Sequence, residues 1–438
     1  MMDRTVFCGL LPRIAQLLFA PINVYAMASM LSPELQGYYY SFASLAALQA
    51  FFELGLQNVI VYFGAHEWAH LKLEKDGNIT GNEMSLGRLA GLATFAGRWY
   101  GWMGIFYFVL VSCTGFYFFS QNDAKMIAAW EGQWLCYVFF MSVILSQQPR
   151  IALLESCGQI NFVNGLRTFQ VVVGSALQWW SFYANFGLGA ICAGPIVVAL
   201  SNEASMYIFH RDFFASLKKA KAETSKMFRK EIFSFQWRIA ITASVAWFLY
   251  SIYVPIVFHY WGPVAAGQVG LTLQVVEAIF LVSATWVDSK FPRLCIHAAQ
   301  GNRKGLFSDW TKNLFVSLVV FLIGSGIFLW SLSWICLLIP KLDQRFLPAY
   351  PTILFLCACF VRLLIRSLAA FIRAHKSEAV FVGATAWCVA NGILVWQGTR
   401  SLGINGAAYG SLFAAVFIGL PLIGHCAFGF ARRESVLH

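Results

Sequence analysis

The stretch NLFVSLVVFLIGSGIFLWSLSWIC, residues 313–336, has no charged side chain over 24 residues. A helix rises about 1.5 Å per residue, so about 20 apolar residues cross the hydrocarbon core of a bilayer. This stretch therefore predicts a transmembrane helix. Runs of the same character predict eleven further spans, at 6–30, 37–64, 93–119, 134–156, 163–185, 187–209, 233–259, 264–287, 351–374, 379–398 and 405–430.

The composition of the whole chain is typical of a protein that faces lipid. Of its 438 residues, 59% are hydrophobic and only 12% are charged, about half of the roughly 25% found in soluble domains. So few charges cannot coat a water-soluble enzyme of this size, and the composition also excludes a disordered or fibrous chain. The eleven cysteines lie almost all in apolar runs, which favours buried side chains over a disulfide framework or a metal cluster. No metal or cofactor is predicted.

The net charge of +11 indicates membrane topology rather than affinity for nucleic acid. Twenty of the 31 basic residues lie at the termini or in connections after even-numbered spans, and only four lie in the opposite connections. Basic connections stay in the cytoplasm. The sequence therefore predicts a multi-pass protein with both termini in the cytoplasm, in contact with membrane lipids and without a nucleic-acid partner.

A basic connection at the midpoint of the chain divides the twelve spans into two sets of six. The predicted boundaries are a first lobe at 1–210, an amphipathic cytoplasmic linker helix at 211–232 and a second lobe at 233–438. Arg13-Ile-Ala opens the first span and Arg238-Ile-Ala opens the seventh, which is a weak internal repeat. The expected fold is an all-α polytopic membrane protein whose two six-helix lobes are related by a pseudo-two-fold axis along the membrane normal, with a binding site between them.

Five arginines lie deep in the predicted spans: Arg13, Arg150, Arg238, Arg362 and Arg366. An arginine at the centre of a span costs about 2.5–3.5 kcal/mol on the insertion scale, so such residues mark functional sites. Arginine matches phosphate and carboxylate groups with two parallel N–H donors, which predicts an anionic substrate in a water-filled cavity. Structural pairing with the intramembrane carboxylates is the alternative, although their number does not neutralise the arginines. Arg98 and Arg167 lie near span ends, where their side chains reach the headgroups, and we set them aside.

A second pattern, His66-Glu-Trp-Ala-His70, matches H-E-x-x-H. On a helix this spacing places two histidines on one face as zinc ligands, with Glu67 as the base of a metalloprotease. The alternative is the end of an interfacial helix, which we favour because the sequence shows no clear third ligand.

Prolines and glycines inside the spans predict local features of the helices. Pro21 and Pro255 each remove a backbone hydrogen bond and are the predicted hinges, with static kinks as the alternative. The spacing Gly406-x-x-x-Gly410 predicts close packing between helices.

Three local strings resemble segments of bacterial O-antigen and capsule export proteins. They are Leu31-Ser-Pro-Glu-Leu-Gln-Gly-Tyr-Tyr39, Phe51-Phe-Glu-Leu-Gly55 and Gly262-Pro-x-x-Ala-Gly-Gln268. With twelve predicted spans, a basic central connection and cationic spans, the whole chain resembles the Wzx-type polysaccharide flippases of the multidrug/oligosaccharidyl-lipid/polysaccharide exporter superfamily.

This resemblance implies a transporter in the bacterial inner membrane, not an enzyme. Such proteins move an undecaprenyl-pyrophosphate-linked oligosaccharide from the inner to the outer leaflet for surface polysaccharide and lipopolysaccharide synthesis. The five arginines become candidates for binding the pyrophosphate or acidic sugars, and Glu53 and Glu277 become candidates for ion coupling. A polysaccharide polymerase and the chain-length machinery are the implied partners. A cation-coupled drug exporter of the same superfamily is the alternative, ahead of the zinc metalloprotease.

Overall fold

The computed structural model describes residues 4–74, 79–121, 127–220, 241, 245, 247, 249–338, 344–375 and 380–436. Almost all of these residues are helical, apart from one two-stranded antiparallel sheet. The chain divides into two compact units. The first unit consists of Met1–Leu31 and Leu45–Ser244, and the second of Ser32–Ser44 and Val245–His438.

The first unit is a bundle of helices with a small sheet at one end. Its helices are α1 (Arg4–Met30), α3 (Ala50–Glu53), α4 (Leu56–Trp68), α5 (Glu83–Ser120), α6 (Ile127–Ser156), α7 (Ile160–Tyr183), α8 (Ala193–Phe209) and α9 (Arg211–Lys219). Helix α2 (Pro33–Ala46) leads into α3 through a 3₁₀ turn, and another 3₁₀ segment, Gly187–Cys192, precedes α8. The sheet pairs β1 (Leu71–Leu73) with β2 (Ile79–Gly81).

The second unit contains longer helices. They are α10 (Tyr253–Ala299), α11 (Arg303–Leu338), α12 (Ala349–Ala374), α13 (Val380–Phe413) and α14 (Leu420–Val436), with a π-helical turn at Ala414–Gly419. Most of α2 also belongs to this unit, because Ser32–Ser44 packs with it.

Within the described residues, seven helices are long and apolar enough to cross a membrane. They are Glu83–Ser120, Trp130–Ser156, Gly187–Phe209, Tyr253–Ala299, Arg303–Trp334, Ala349–Ala374 and Val380–Gly429. Two of them contain a glycine that breaks the helix. Val380–Gly429 covers two predicted spans, whereas Tyr253–Ala299 covers the span at 264–287 and the last seven residues of the span at 233–259.

The breaks at Gly262 and Gly403 replace the connections predicted near 260–263 and 399–404. Gly262 has φ 81° and Gly403 has φ 67°, a region that glycine enters without the steric cost of a Cβ atom. The chain reverses at Gly403, since Gly398 and Gly406 lie in backbone contact across the turn. A methyl group at Gly410 would lie 2.6 Å from the Leu394 carbonyl oxygen, so the Gly-x-x-x-Gly spacing serves close helix packing as predicted.

The span predicted at 37–64 is not one helix. Leu54 and Gly55 follow α3 in the left-handed conformation, with φ 50° and φ 64°, which ends one helix and starts the next. Leucine rarely adopts this conformation, because its Cβ atom crowds the backbone. The break lets α2 pack with the second unit while α4 packs with the first.

Helix α2 docks closely on α10 within the second unit. The Gln36 side-chain amide donates to the Gly267 carbonyl at 3.0 Å and to the Arg345 carbonyl at 3.3 Å. The Tyr40 hydroxyl donates to Gln274 Oε1 at 2.5 Å. Gly37 lies directly against the Pro263 backbone, so the two helices approach as closely as their main chains allow.

Helix α9, which is the described part of the predicted linker helix, packs on the small sheet. Its Phe213 and Leu217 side chains are buried, and Phe213 lies 6.2 Å from Trp68 between ring centroids. The Ile79 amide donates to Ser216 Oγ at 3.1 Å. Burial of His210, which precedes α9, lowers the pKa of its imidazole. The predicted lobe boundaries remain a prediction, because residues 221–240 lie outside the described part of the chain.

The contact at Gly37 predicts a stability difference between two alanine substitutions. In Gly37→Ala the new methyl group meets the Pro263 carbonyl, and overpacking of this kind costs about 1–3 kcal/mol. Gly97 on α5 has open space around it, so Gly97→Ala should be neutral or stabilising by up to about 1 kcal/mol. Thermal unfolding of both purified variants checks the prediction. Equal melting temperatures would contradict close docking of α2.

Candidate functional site

A cleft of about 530 Å³ opens in the first unit between α1, α7 and α8. Its volume lies in the range of ligand-binding pockets. The polar side chains that line it are Arg13, Gln16, Asn164, Arg167, Gln170, Ser175 and Gln178. Two are arginines, four are carboxamides and one is a hydroxyl, and none of the described lining residues is a carboxylate.

Packing between α1 and α7 holds the walls of the cleft. The Trp179 indole donates to Asn23 Oδ1 at 2.5 Å, and its ring meets Phe19 edge to face at 5.3 Å between centroids. Small residues bring α8 close to α7, since a methyl group at Gly174 would lie 3.5 Å from the Cα atom of Gly194. The polar side chains therefore lie on helices with defined positions.

The two cleft arginines differ in their ion pairing. Arg13 is exposed, and the described residues provide no carboxylate partner for it. Arg167 forms an ion pair with Glu155 at 2.5 Å while it lines the cleft. Sequence reasoning set Arg167 aside as an interfacial residue and so missed this placement. The signal was the polar stripe on α7, where Asn164, Arg167, Ser175 and Gln178 recur at helical spacing on one face.

The other described candidate arginines are all ion-paired within their own unit. Arg150 on α6 binds Glu203 on α8 through two contacts, of which Nη1 to Oε2 measures 3.0 Å and the other joins Nη2 to Oε1. Arg366 on α12 makes a two-pronged pair with Asp288 on α10, at 3.1 and 2.7 Å. Arg238 lies outside the described residues.

Arg362 has the most enclosed environment of the candidate arginines that the structure describes. Its Nη2 lies 2.6 Å from Glu277 Oε2, and its guanidinium stacks over the Phe280 ring at 4.0 Å and faces the Tyr250 ring at 4.9 Å. Arg362 is only 8% exposed. Beside it lies a cavity of about 20 Å³, large enough for one water molecule.

These pairs change the charge balance that the sequence suggested. The count of intramembrane acids left the arginines unneutralised, but Glu203, Glu277 and Asp288 each lie on a neighbouring helix beside one arginine. Glu277, a candidate for ion coupling, is the counter-ion of Arg362. Glu53, the other candidate, is partly buried at the end of α3, where it accepts a hydrogen bond from Gln49 Nε2 at 2.7 Å.

The two predicted hinge prolines occupy different positions in their helices. Pro21 lies inside α1, where its missing N–H removes a helical hydrogen bond. Pro255 lies in the first turn of α10, just after a turn at Ser251. The first-turn N–H groups of a helix have no intrahelical partner, so Pro255 removes no hydrogen bond there and marks a helix start. Their role as hinges stays a prediction.

The H-E-x-x-H residues lie at the end of α4. Glu67 is buried, and its carboxylate lies 3.6 Å from Arg88 Nη1 and 3.9 Å from His66 Nδ1. Within the described ranges there is no group of three or more His, Cys, Asp or Glu side chains that could bind a metal ion. The geometry makes Glu67 a counter-ion that joins α4 to α5, which does not favour the protease alternative.

No protein-family model matches the sequence, and no curated protein matches it either. Solved structures do match its fold. An inward-facing multidrug resistance MATE family transporter of the MOP superfamily has a TM-score of 0.70 at 11% identity, over 98% of this chain and 95% of that one. The lipid II flippase MurJ, inward closed, has a TM-score of 0.67 at 12% identity, over 94% and 86%. The eukaryotic MATE transporter AtDTX14 has a TM-score of 0.61 at 13% identity, over 98% and 96%.

These similarities confirm the predicted fold class. The chain is an all-α polytopic membrane protein with the fold of MOP-superfamily transporters, built of about twelve helices in two lobes. The similar proteins are transporters and a flippase. Identities of 11–13% show similarity of fold alone. The substrate has to be argued from the residues of the site.

The Arg362–Glu277 ion pair predicts that a single variant and a double variant differ strongly in stability. Glu277→Gln leaves the buried Arg362 charge without a partner, which should lower the free energy of unfolding by about 3–5 kcal/mol. The double variant Glu277→Leu with Arg362→Met should recover most of this loss, because no buried charge remains. Denaturant unfolding of the purified variants measures both.

The exposed Arg366–Asp288 ion pair of the same unit is the matched control. Asp288→Asn removes the partner of Arg366, whose side chain is 40% exposed, and should cost at most about 1 kcal/mol. A Glu277→Gln protein as stable as the parent would show that Arg362 does not depend on this carboxylate.

Proposed function

We propose that this protein is a flippase that moves an undecaprenyl-pyrophosphate-linked oligosaccharide from the inner to the outer leaflet of the cytoplasmic membrane by alternating access. The product serves the synthesis of surface polysaccharide or lipopolysaccharide. The observation that carries the proposal is the cleft in the first unit, whose described lining combines two arginines with four carboxamides and has no carboxylate.

The charge of the cleft supports an anionic cargo. The exposed guanidinium of Arg13 has no carboxylate beside it in the described part of the chain, so its charge is available to a ligand. Guanidinium groups bind carboxylate and phosphate oxygens through parallel N–H donors. A cationic ligand would lose its hydration shell and meet positive charge and neutral dipoles in the described lining.

A drug exporter is the second candidate, and the fold supports it equally. One matching MATE structure is that of a multidrug resistance transporter, and MurJ is a lipid II flippase. Exporters of cationic compounds need negative or aromatic surfaces around the ligand. The arginine-lined cleft therefore favours the flippase over the exporter.

The ion-paired arginines have a different place in this proposal. Arg13 is the first binding residue, and Arg167, which the sequence did not single out, lines the cleft beside it while it is paired with Glu155. Arg150, Arg362 and Arg366 bind substrate only if their carboxylate partners are displaced. Glu277 is the less favoured candidate for ion coupling, because a bound guanidinium already occupies its carboxylate. Glu53 is the more favoured one.

The remaining features of the proposal follow from the resemblance and the charge pattern. We place the protein in the bacterial inner membrane with both termini in the cytoplasm. Its partners would be membrane lipids, a polysaccharide polymerase and the chain-length machinery. No cofactor is part of the proposal.

Removal of the cleft charge should abolish export. In cells that depend on this chain for a surface glycan, Arg13→Ala should reduce that glycan at least tenfold, whereas Arg13→Lys should keep part of it, because a point charge replaces the two-pronged donor. Staining of surface glycan, normalised to the amount of protein in the membrane, measures the effect.

Arg98→Ala is the control, since Arg98 lies on α5 and does not line the cleft. Full glycan export by Arg13→Ala would contradict the proposed function. Drug-resistance assays on the same strains test the second candidate, and resistance that depends on this chain would favour the exporter.

A further inference from the structure

A row of amide side chains connects the cleft to the ion pair of Arg150 and Glu203. The row begins at Gln147 on α6, whose Nε2 donates to the Ala199 backbone carbonyl at 3.0 Å and to Glu203 Oε1 at 3.2 Å. A backbone carbonyl and an ionised carboxylate only accept hydrogen bonds. The orientation of the Gln147 amide is therefore determined, with its oxygen on the opposite side.

The same reasoning determines the orientation of the next two amides, those of Asn202 and Gln170. Asn202 Nδ2 donates to Gln147 Oε1 at 3.0 Å, so Asn202 Oδ1 must accept from its other neighbour. That neighbour is Gln170, whose Nε2 donates to Asn202 Oδ1 at 2.8 Å and to Ser201 Oγ at 2.9 Å. Both N–H groups of Gln170 are thus used within the protein.

Gln170 lines the cleft, and only its carbonyl oxygen remains for a ligand. This oxygen has no hydrogen-bond partner among the described residues. Because the row behind Gln170 determines the orientation of its amide, the side chain cannot turn to offer an N–H group without breaking two hydrogen bonds. The cleft therefore contains an acceptor of defined orientation beside the arginine donors.

Such an acceptor distinguishes between the two ends of the proposed cargo. Sugar hydroxyls donate hydrogen bonds, whereas a pyrophosphate esterified at both ends is ionised near neutral pH and has no O–H group to donate. An amide oxygen next to a phosphate oxygen would place two acceptors together, which is unfavourable. An acidic sugar satisfies both kinds of group, because its carboxylate pairs with arginine and its hydroxyls donate to the amide oxygen.

We propose that this cleft binds the sugar rings of an acidic oligosaccharide, with a sugar carboxylate at Arg13 and a sugar hydroxyl donating to Gln170, and does not bind the pyrophosphate. This inference rests on the proposed function and names the part of the cargo that the first unit binds. The Arg150–Glu203 pair acts here through the amide row, as the group that orients Gln170.

Calorimetry on the purified full-length protein tests the inference with two probes, trigalacturonate and inorganic pyrophosphate. Trigalacturonate should bind the parent protein more tightly than pyrophosphate does. Gln170→Met removes the acceptor oxygen at similar volume and should weaken trigalacturonate binding about five- to tenfold, the loss of one hydrogen bond. It should not weaken pyrophosphate binding, because the oxygen that it removes disfavours a phosphate group.

A second variant separates the loss of the acceptor from damage to the amide row. Gln170→Lys keeps donors for Asn202 and Ser201 but has no acceptor. It should lose binding of the neutral probe galactotriose while it gains affinity for pyrophosphate, because a third positive charge is present. Gln397→Leu is the matched control, since Gln397 is exposed on α13 in the second unit, and it should match the parent with all probes.

Two outcomes would overturn the inference. One is tighter binding of pyrophosphate than of trigalacturonate, and the other is a Gln170→Met protein that binds trigalacturonate like the parent. If either occurs while Arg13→Ala still abolishes glycan export, the proposed flippase stands and only the sugar assignment fails. If trigalacturonate binds as expected while Arg13→Ala exports normally, the sugar site stands and the proposed function fails.

Discussion

A guanidinium group inside an apolar helix bundle requires a counter-charge or water, and this constraint organises the protein. Arg362 with Glu277 satisfies it in the second unit, where two aromatic rings also lie against the guanidinium. Arg150 with Glu203 satisfies it in the first unit. Each pair joins two neighbouring helices, so that the same contacts that neutralise the charges also set the positions of the helices. Arg13 satisfies the constraint differently, because it lies exposed at a polar cleft.

The ion pair in the first unit has an effect beyond its own charges. Glu203 and the Ala199 carbonyl accept from Gln147, and this determines the direction of every hydrogen bond from there to Gln170. If both ends of a row of amides were free, every amide could flip and the direction of all the hydrogen bonds would reverse. Here one end is anchored on groups that only accept, and the other end therefore offers an acceptor to the cleft. A partly exposed ion pair, with the Arg150 side chain 36% exposed and that of Glu203 51% exposed, thus sets the hydrogen-bonding character of a ligand site several residues away.

Backbone geometry at a few residues determines how the helices enter the two units. Gly262 and Gly403 interrupt α10 and α13 where the sequence suggested short connections. Leu54 and Gly55 separate α2 from α4, and α2 then docks on α10 through Gly37 and Gln36. Most of α2 therefore belongs to a different unit from its neighbours in sequence, which the hydrophobicity of the span at 37–64 did not indicate.

The sequence by itself determined that the chain spans a membrane with helices, because apolar runs of sufficient length have no other stable conformation in lipid. It also identified Arg13 and the other deep arginines. Only the tertiary structure decided which of them are paired, since the partners lie 53, 85 and 78 residues apart along the chain. It also brought Arg167 into the cleft and gave Gln170 its role. The physical reason is that the periodicity of the sequence defines the faces of one helix. The pairing of charges depends on which helices pack together and on how far along each helix the two residues lie.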